Sequence, residues 1–237
     1  MLCLAFELSS PQLSVAVARG DLLLSQLSRS GQRQHAETLF PMIEEALQAA
    51  GVAREELELI AVGRGPGSFT GIRMAVTAAK ILAAFLPTRL IAASSLEIMH
   101  EAYREQNELH LPCLDARGGR IYAALYRGSE ILLPEGKYEA SELWPRLATY
   151  REPIWLEGSG QAALLAMPDG EEKFRLGREG DRALEAGELC RLAARLVASQ
   201  EFTDPATLEA QYCSLSQAER LRLEGTSFAP PSGGRLL

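Results

Sequence analysis

Two carboxylates and one run of glycines are the residues of this 237-residue chain whose types and spacing could do chemistry. Glu7 closes the apolar run "LCLAF", and Asp115 closes the apolar run "LPCL". Each acid is followed by a small-residue turn and then by an alternating segment that ends in Arg-Gly. Two such turns facing one another across a cleft would let the acids hold Mg²⁺ and its waters while turn N–H groups cradle nucleotide phosphates. A carboxylate at a strand end also has a plainer use, which is to accept backbone hydrogen bonds from its own turn. Glu is longer than Asp, so Glu7 is expected to push its carboxylate further out than Asp115.

The glycines lie in "VGRGPGSFTGIR", from Val62 to Arg73, between an apolar strand and an apolar helix. The loop is not a Walker loop, because Ile72 follows Gly71 where a lysine is required. Nor is it a dinucleotide fingerprint, since Ser68 takes the place of the third glycine. It still presents N–H groups at a helix N-terminus, where an anion could bind. The competing reading is that its glycines only allow a tight turn and close packing. The candidate phosphate contacts are thus Glu7, Ser9, Gly65, Gly67, Ser68 and Asp115.

Other chemistry has little support. His35, His100 and His110 are the only histidines, and none forms an H-x-x-x-H or H-x-x-E-H pair, so no metal ligand set is expected. Elemental analysis of the purified chain should accordingly find no stoichiometric zinc or iron. Ser68 lacks the G-x-S-x-G setting of a nucleophile. Cys3, Cys113, Cys190 and Cys213 are scattered without a C-x-x-C pair, which suits a reducing cytoplasm.

The two acids belong to a repeat. "ELSSPQLSVAVARG" (7–20) and "DARGGRIYAALYRG" (115–128) align without a gap at an offset of 108 residues. Each is a strand, turn, strand, turn, strand meander. After the first meander, Ala36 to Ala50 has helical spacing, "LELIAVG" reads as a buried strand, and a helix is expected from about Thr70 to Phe85. "TRLIAA" is a short strand, and Ser94 or Ser95 caps a helix expected to reach about Gln106. The order β-β-β-α-β-α-β-α then starts again, less regularly, with "PIWLEGSG" as a strand and loop and Arg182 to Ser199 as an amphipathic helix. This predicts a mixed sheet with helices on its faces, used twice. The division expected is a first lobe at 1–108, a second at 109–225 and a turn-rich, mobile tail at 226–237.

Bulk properties bound the partners. A net charge of −7 without a Lys/Arg block excludes unaided binding of nucleic acid, so contact with tRNA or any other RNA would be indirect. No stretch reaches the roughly 18 apolar residues of a membrane span, and no signal peptide is expected.

Helix faces suggest an association surface. In the helix after the glycine loop, Gly71, Ala75, Ala78, Ala79 and Leu82 share one face, and small residues there would let a partner helix approach closely. The preceding helix carries Leu39, Met42, Ile43 and Ala46 on a wide apolar arc. These nine residues are the expected interface, and self-association in two-fold symmetry is expected when no other partner is present.

In order, "LCLAFELSSPQLSVAVARG", "QRQHAETLFPMIEEAL", "AVGRGPGSFTGIRMAVTAAKILA", "SSLE", "LDARGGRIYAALY" and "QYCSLSQAER" resemble the TsaB, or YeaZ, family. The resemblance is close over residues 1–128 and weak from Tyr138 to Asp204. It implies a two-lobed actin, Hsp70 and sugar-kinase-like (ribonuclease H-like) fold. It also implies a non-catalytic subunit that binds and activates a larger paralogue, TsaD, beside the small ATPase TsaE, in making threonylcarbamoyladenosine in tRNA. No intrinsic cofactor is implied, and ATP or ADP is expected only in the complex with partners. The alternative is an autonomous actin-like ATPase or small-molecule kinase using Glu7, Asp115 and the loop. In the catalytic paralogue an N-H-x-x-x-H motif holds a metal, whereas the matching segment here is Ser94 to Met99. His100 lies one residue past the second ligand position, a turn of about 100° on a helix. The family's usual Asp-Thr-Ser strand end is here Glu7-Leu8-Ser9, so any nucleotide binding by this chain alone is expected to be weak.

Overall fold

The computed structural model describes residues 1–30, 35–177 and 184–211. The first unit is β1 (Leu2–Glu7), β2 (Gln12–Arg19), β3 (Leu22–Ser30), α1 (His35–Ala50), a 3-10 turn at Arg54–Glu56, β4 (Leu59–Gly63), α2 (Phe69–Phe85), β5 (Arg89–Ala93) and α3 (Ser95–Glu101). The second is β6 (Leu109–Asp115), β7 (Arg120–Arg127), β8 (Glu130–Glu139), α4 (Ala140–Leu147), β9 (Ile154–Glu157), α5 (Gln161–Leu165), α6 (Gly170–Lys173), β10 (Phe174–Leu176) and α7 (Ala186–Ala198). The sheets run β3-β2-β1-β4-β5 and β8-β7-β6-β9-β10, the same order with every strand replaced by its counterpart. β1 pairs antiparallel with β2 and parallel with β4, and β6 does the same with β7 and β9. β2 and β7 lie 108 residues apart at both ends, so the sequence repeat is a structural repeat. Two lobes of this order are the actin, Hsp70 and sugar-kinase-like fold.

Strand periodicity divides the core of the first lobe. Leu2, Leu4 and Phe6 of β1 face one side, with Val15, Val17, Ile60 and Val62, and meet α1 and α2. Cys3 and Ala5 face the other side, with Ala16, Ala18, Leu59 and Ala61, and meet α7. β1 and β4 are therefore covered on both faces, which is why they read as unbroken apolar runs. The mostly small side chains on the second face give α7 room to lie against the sheet.

The last helices of the two units are exchanged. α3 packs on β6 and β7 of the second lobe, and α7 packs on β1, β2 and β4 of the first. A boundary at 108/109 separates the two sheets, but α7 and residues 203–211 return to the first lobe. Thr203 N donates to the Leu90 carbonyl at 2.7 Å, and Ala92 N donates to Thr203 Oγ1 at 3.0 Å. Leu208 joins the first core. The returning segment thereby covers the open edge of β5. α3 also ends earlier than the spacing predicts. After Glu101 the chain closes tight turns, with Tyr103 N donating to the His100 carbonyl and Gln106 N to that of Tyr103. The tail expected at 226–237 and Cys213 lie outside the described residues.

Candidate functional site

The glycine loop leaves β4 at Gly63 and enters α2 through Ser68, whose hydroxyl caps the helix by accepting from Gly71 N at 3.3 Å. The β1–β2 turn fills its cradle. Ser68 N donates to the Ser9 carbonyl at 2.6 Å. A Cβ on Gly67 would lie 2.3 Å from Ser9 O, and one on Gly71 would lie 1.8 Å from Leu8 O. A Cβ on Gly65 would lie 2.6 Å from Ile72 Cδ1 and 3.0 Å from Gln211 O. The structure thus brings Ser9, Gly65, Gly67 and Ser68 together, and it uses the N–H of Ser68 within the chain. Ser9 Oγ reaches across to Ser95 Oγ at 2.8 Å.

The two acids do not meet. Glu7 is fully buried, and its carboxylate points inward beneath Gly63, where a Cβ would sit 1.4 Å from Oε2. The longer side chain therefore turns in, which corrects the expectation that it reaches further out. One oxygen accepts from Ser9 N at 2.5 Å, and Oε2 is buried without a hydrogen-bond partner. Asp115 is exposed and accepts from Arg117 N at 2.8 Å. Both acids thus accept from the amide two residues on, the turn-capping use. A magnesium nucleotide at the first turn would need the Glu7 carboxylate in the cleft and the loop amides open to it, and the residues as placed do not fit one.

Burial raises the Glu7 pKa above the ordinary carboxylate value, opposed by hydrogen bonds from Ser9 and Leu8. An acid whose folded pKa is raised contributes stability at low pH and loses it as pH rises through that value. Glu7→Gln removes the ionisation. Its melting temperature is expected to gain on the parent's as pH rises from 4 to 8 in parallel thermal scans, and a gain that shrinks with pH would refute this account.

The expected interface stripe is internal, which corrects its assignment to a partner. Leu39, Met42, Ile43, Ala46, Ala75, Ala78 and Ala79 are buried in the first core, Gly71 is buried against Leu8, and Leu82 is half-buried beside them. The small residues admit the lobe's own sheet rather than a second molecule. Ala78→Trp is accordingly expected to overpack that layer by about 1 to 3 kcal/mol. Its melting temperature should fall by roughly 2 to 12 °C, and an unchanged value would reinstate an open face.

The exposed apolar residues of the same helices are others. Phe40 on α1 is 43% exposed, and Ile81 and Phe85 on α2 are 44% and 84% exposed. The signal for the last two is their i, i+4 spacing at the helix end, on the flank of Ala78 rather than across the helix from it. Two polar clusters also escaped the sequence reading. Glu135 on β8 accepts from Gln211 Nε2 at 2.8 Å, close to Ser94 and Arg64, and burial raises its pKa. His100 is fully buried, and its Nδ1 lies 2.9 Å from His110 Nδ1. No group of three or more His, Cys, Asp or Glu among the described residues is arranged to hold a metal ion. No described helix is long and apolar enough to cross a membrane.

Known proteins resemble this chain in sequence and in fold. The family of the tRNA N6-adenosine threonylcarbamoyltransferase TsaD matches residues 26–133. The tRNA threonylcarbamoyladenosine biosynthesis protein TsaB of Bacillus subtilis is 34% identical over 135 residues, 57% of this chain and 59% of that protein. The Escherichia coli protein of the same description is 32% identical over 164 residues, 66% of this chain and 70% of that protein. The solved structure of YeaZ from Pseudomonas aeruginosa superposes with a TM-score of 0.72 at 29% identity, covering 89% of this chain and 99% of that one. The match thus spans less than two thirds of the Bacillus protein and slightly more of the Escherichia protein.

Proposed function

The chain belongs to the TsaB family, and from that membership we propose that it is a non-catalytic subunit that binds and activates a TsaD-type paralogue in forming threonylcarbamoyladenosine in tRNA. One observation carries this reading over an autonomous ATPase or kinase. The glycine loop seats the chain's own Leu8 and Ser9, with Glu7 sealed beneath it, so the loop offers its surroundings no open acid and phosphate cradle. Among the large apolar residues that the helices of the first lobe present outward, Ile81 and Phe85 stand one turn apart at the end of α2. That end of α2 would take the paralogue, or a second copy of this chain when the paralogue is absent. A TsaE-type ATPase would join the assembly, nucleotide would bind only there, and tRNA would be held by the more basic partners. The whole assembly would work in the cytoplasm.

Reconstitution tests the reading. The chain, its TsaD-type paralogue and the remaining components are mixed with tRNA, and the modified nucleoside is measured with and without the chain. Omission should abolish product, and the chain alone should turn over no ATP. Product formed at full rate without the chain, or ATP turnover by the chain lost in Asp115→Asn, would overturn it.

A further inference from the structure

α3 is the point at which the chain crosses from one sheet to the other, and its last turn is tied by polar groups. His100, His110 and Glu157 are all buried. His100 Nδ1 lies 2.9 Å from His110 Nδ1, and His100 Nε2 lies 2.7 Å from the Gly128 carbonyl oxygen. His110 Nε2 lies 3.1 Å from Glu157 Oε2. Tyr126 of β7 lies flat on His100, with centroids 4.1 Å apart, and Tyr103 lies flat on His110 at 4.0 Å. The stacked rings cannot tilt away without losing these contacts.

Proton positions follow from what can accept. A carbonyl only accepts, so His100 Nε2 carries hydrogen. With His100 neutral its Nδ1 is an acceptor, and His110 Nδ1–H donates to it. His110 Nε2 and Glu157 Oε2 then share one more proton, as imidazolium and carboxylate or as imidazole and carboxylic acid. A further proton on His100 would face the Nδ1–H of His110 at 2.9 Å, so the bond as arranged is lost and re-forms only if His110 gives up that proton with a cation held in the buried pair.

We infer that the His100–His110–Glu157 chain is an acid-released latch between the lobes, holding α3 on the second sheet and letting go when His100 takes up a proton. The groups around His100 come from several elements. Arg104 follows α3, Arg195 on α7 is held by Glu97 and Glu101, and His110 faces from β6. Burial is the main cause that lowers the His100 pKa to about 4, with His110, Arg104 and Arg195 adding to it against the Gly128 bond. A histidine of ordinary pKa near 6.5 in the open form binds protons that the closed form refuses. The latch is therefore at full strength above about pH 6.5 and weakens as pH falls toward 4, by about tenfold at pH 5.5.

The test uses the full chain with ¹⁵N-labelled histidine. Ring spectra at pH 7.5 should show His100 Nδ1 without hydrogen and His110 Nδ1 with it. Amide protection factors across Leu109–Asp115 and the end of α3, corrected for intrinsic exchange, should fall about tenfold between pH 7.5 and 5.5. His100→Gln offers an acceptor and a donor at the spacing of the ring nitrogens but takes up no proton, so its protection should stay level. A protonated His100 Nδ1 at pH 7.5, or an equal fall in His100→Gln, overturns the latch. Should His100→Gln not fold, the parent's His100 ring decides. Titration near pH 6.5 with unchanged protection overturns the proposal, and a midpoint well below 6 with protection falling in step supports it.

Discussion

Replacing Ile81 and Phe85 together by lysine is expected to weaken binding of the TsaD-type paralogue at least about 30-fold, with the melting temperature close to the parent's. The two side chains stand one helical turn apart at the end of α2, with Phe85 84% and Ile81 44% exposed, so the lobe gains little from the first and only part of the second. Substitutions at such positions usually change stability by about 0.5 kcal/mol or less. Lysine also suits the C-terminal turn of a helix, where the dipole favours a positive charge. At an interface the balance reverses. A buried aromatic anchor commonly contributes about 2 kcal/mol or more, and a lysine in its place brings a charge that must be desolvated. Calorimetric titration of parent and variant against the paralogue reads the difference. Parent-like affinity in the variant would move the interface elsewhere on the chain, whereas no binding by the parent would remove the proposed function itself.

Gly71→Ala should lower the melting temperature by roughly 6 to 12 °C, about 3 kcal/mol for a chain of this size. The added Cβ would lie 1.8 Å from the Leu8 carbonyl oxygen and 2.9 Å from its carbon, so backbone must move. Leu8 has little freedom to do so. Its neighbour Ser9 is held on one side by Glu7 and on the other by Ser68 N. Displacing it breaks the contact between the first turn and the helix cap together. Thr77→Ala, on the exposed side of the same helix, serves as the control and should change the midpoint little. Gly71→Ala melting with the parent would show that the loop does not depend on this close approach.

Local features were legible from residues alone. The duplicated unit follows from apolar alternation and turn residues recurring at a constant offset, and β2 and β7 keep that offset at both ends. Ser94 as a helix cap and the acids at strand ends are likewise set by groups within three residues, and Glu7 and Asp115 both accept from the amide two positions on. Membership of the TsaB family rests on such short-range patterns as well, since the loop and the turns carry it.

Only the tertiary structure decided which surfaces face inward. α2 is apolar over a broad arc along its length, and spacing alone cannot say that Ala75, Ala78 and Ala79 meet a neighbour while Ile81 and Phe85, further along on the flank of Ala78, stay exposed. The lobe's own sheet covers the alanines because their small side chains let the helix lie close to it. The inward turn of Glu7 depends on the missing Cβ of Gly63, a partner from another strand. The exchange of α3 and α7 between lobes, and the joining of His100, His110 and Glu157, bring together segments far apart in the chain. A periodic pattern specifies an element and its apolar sides. The covering of each side is settled by the packing of the whole chain, where close approach is open only to residues small enough to permit it.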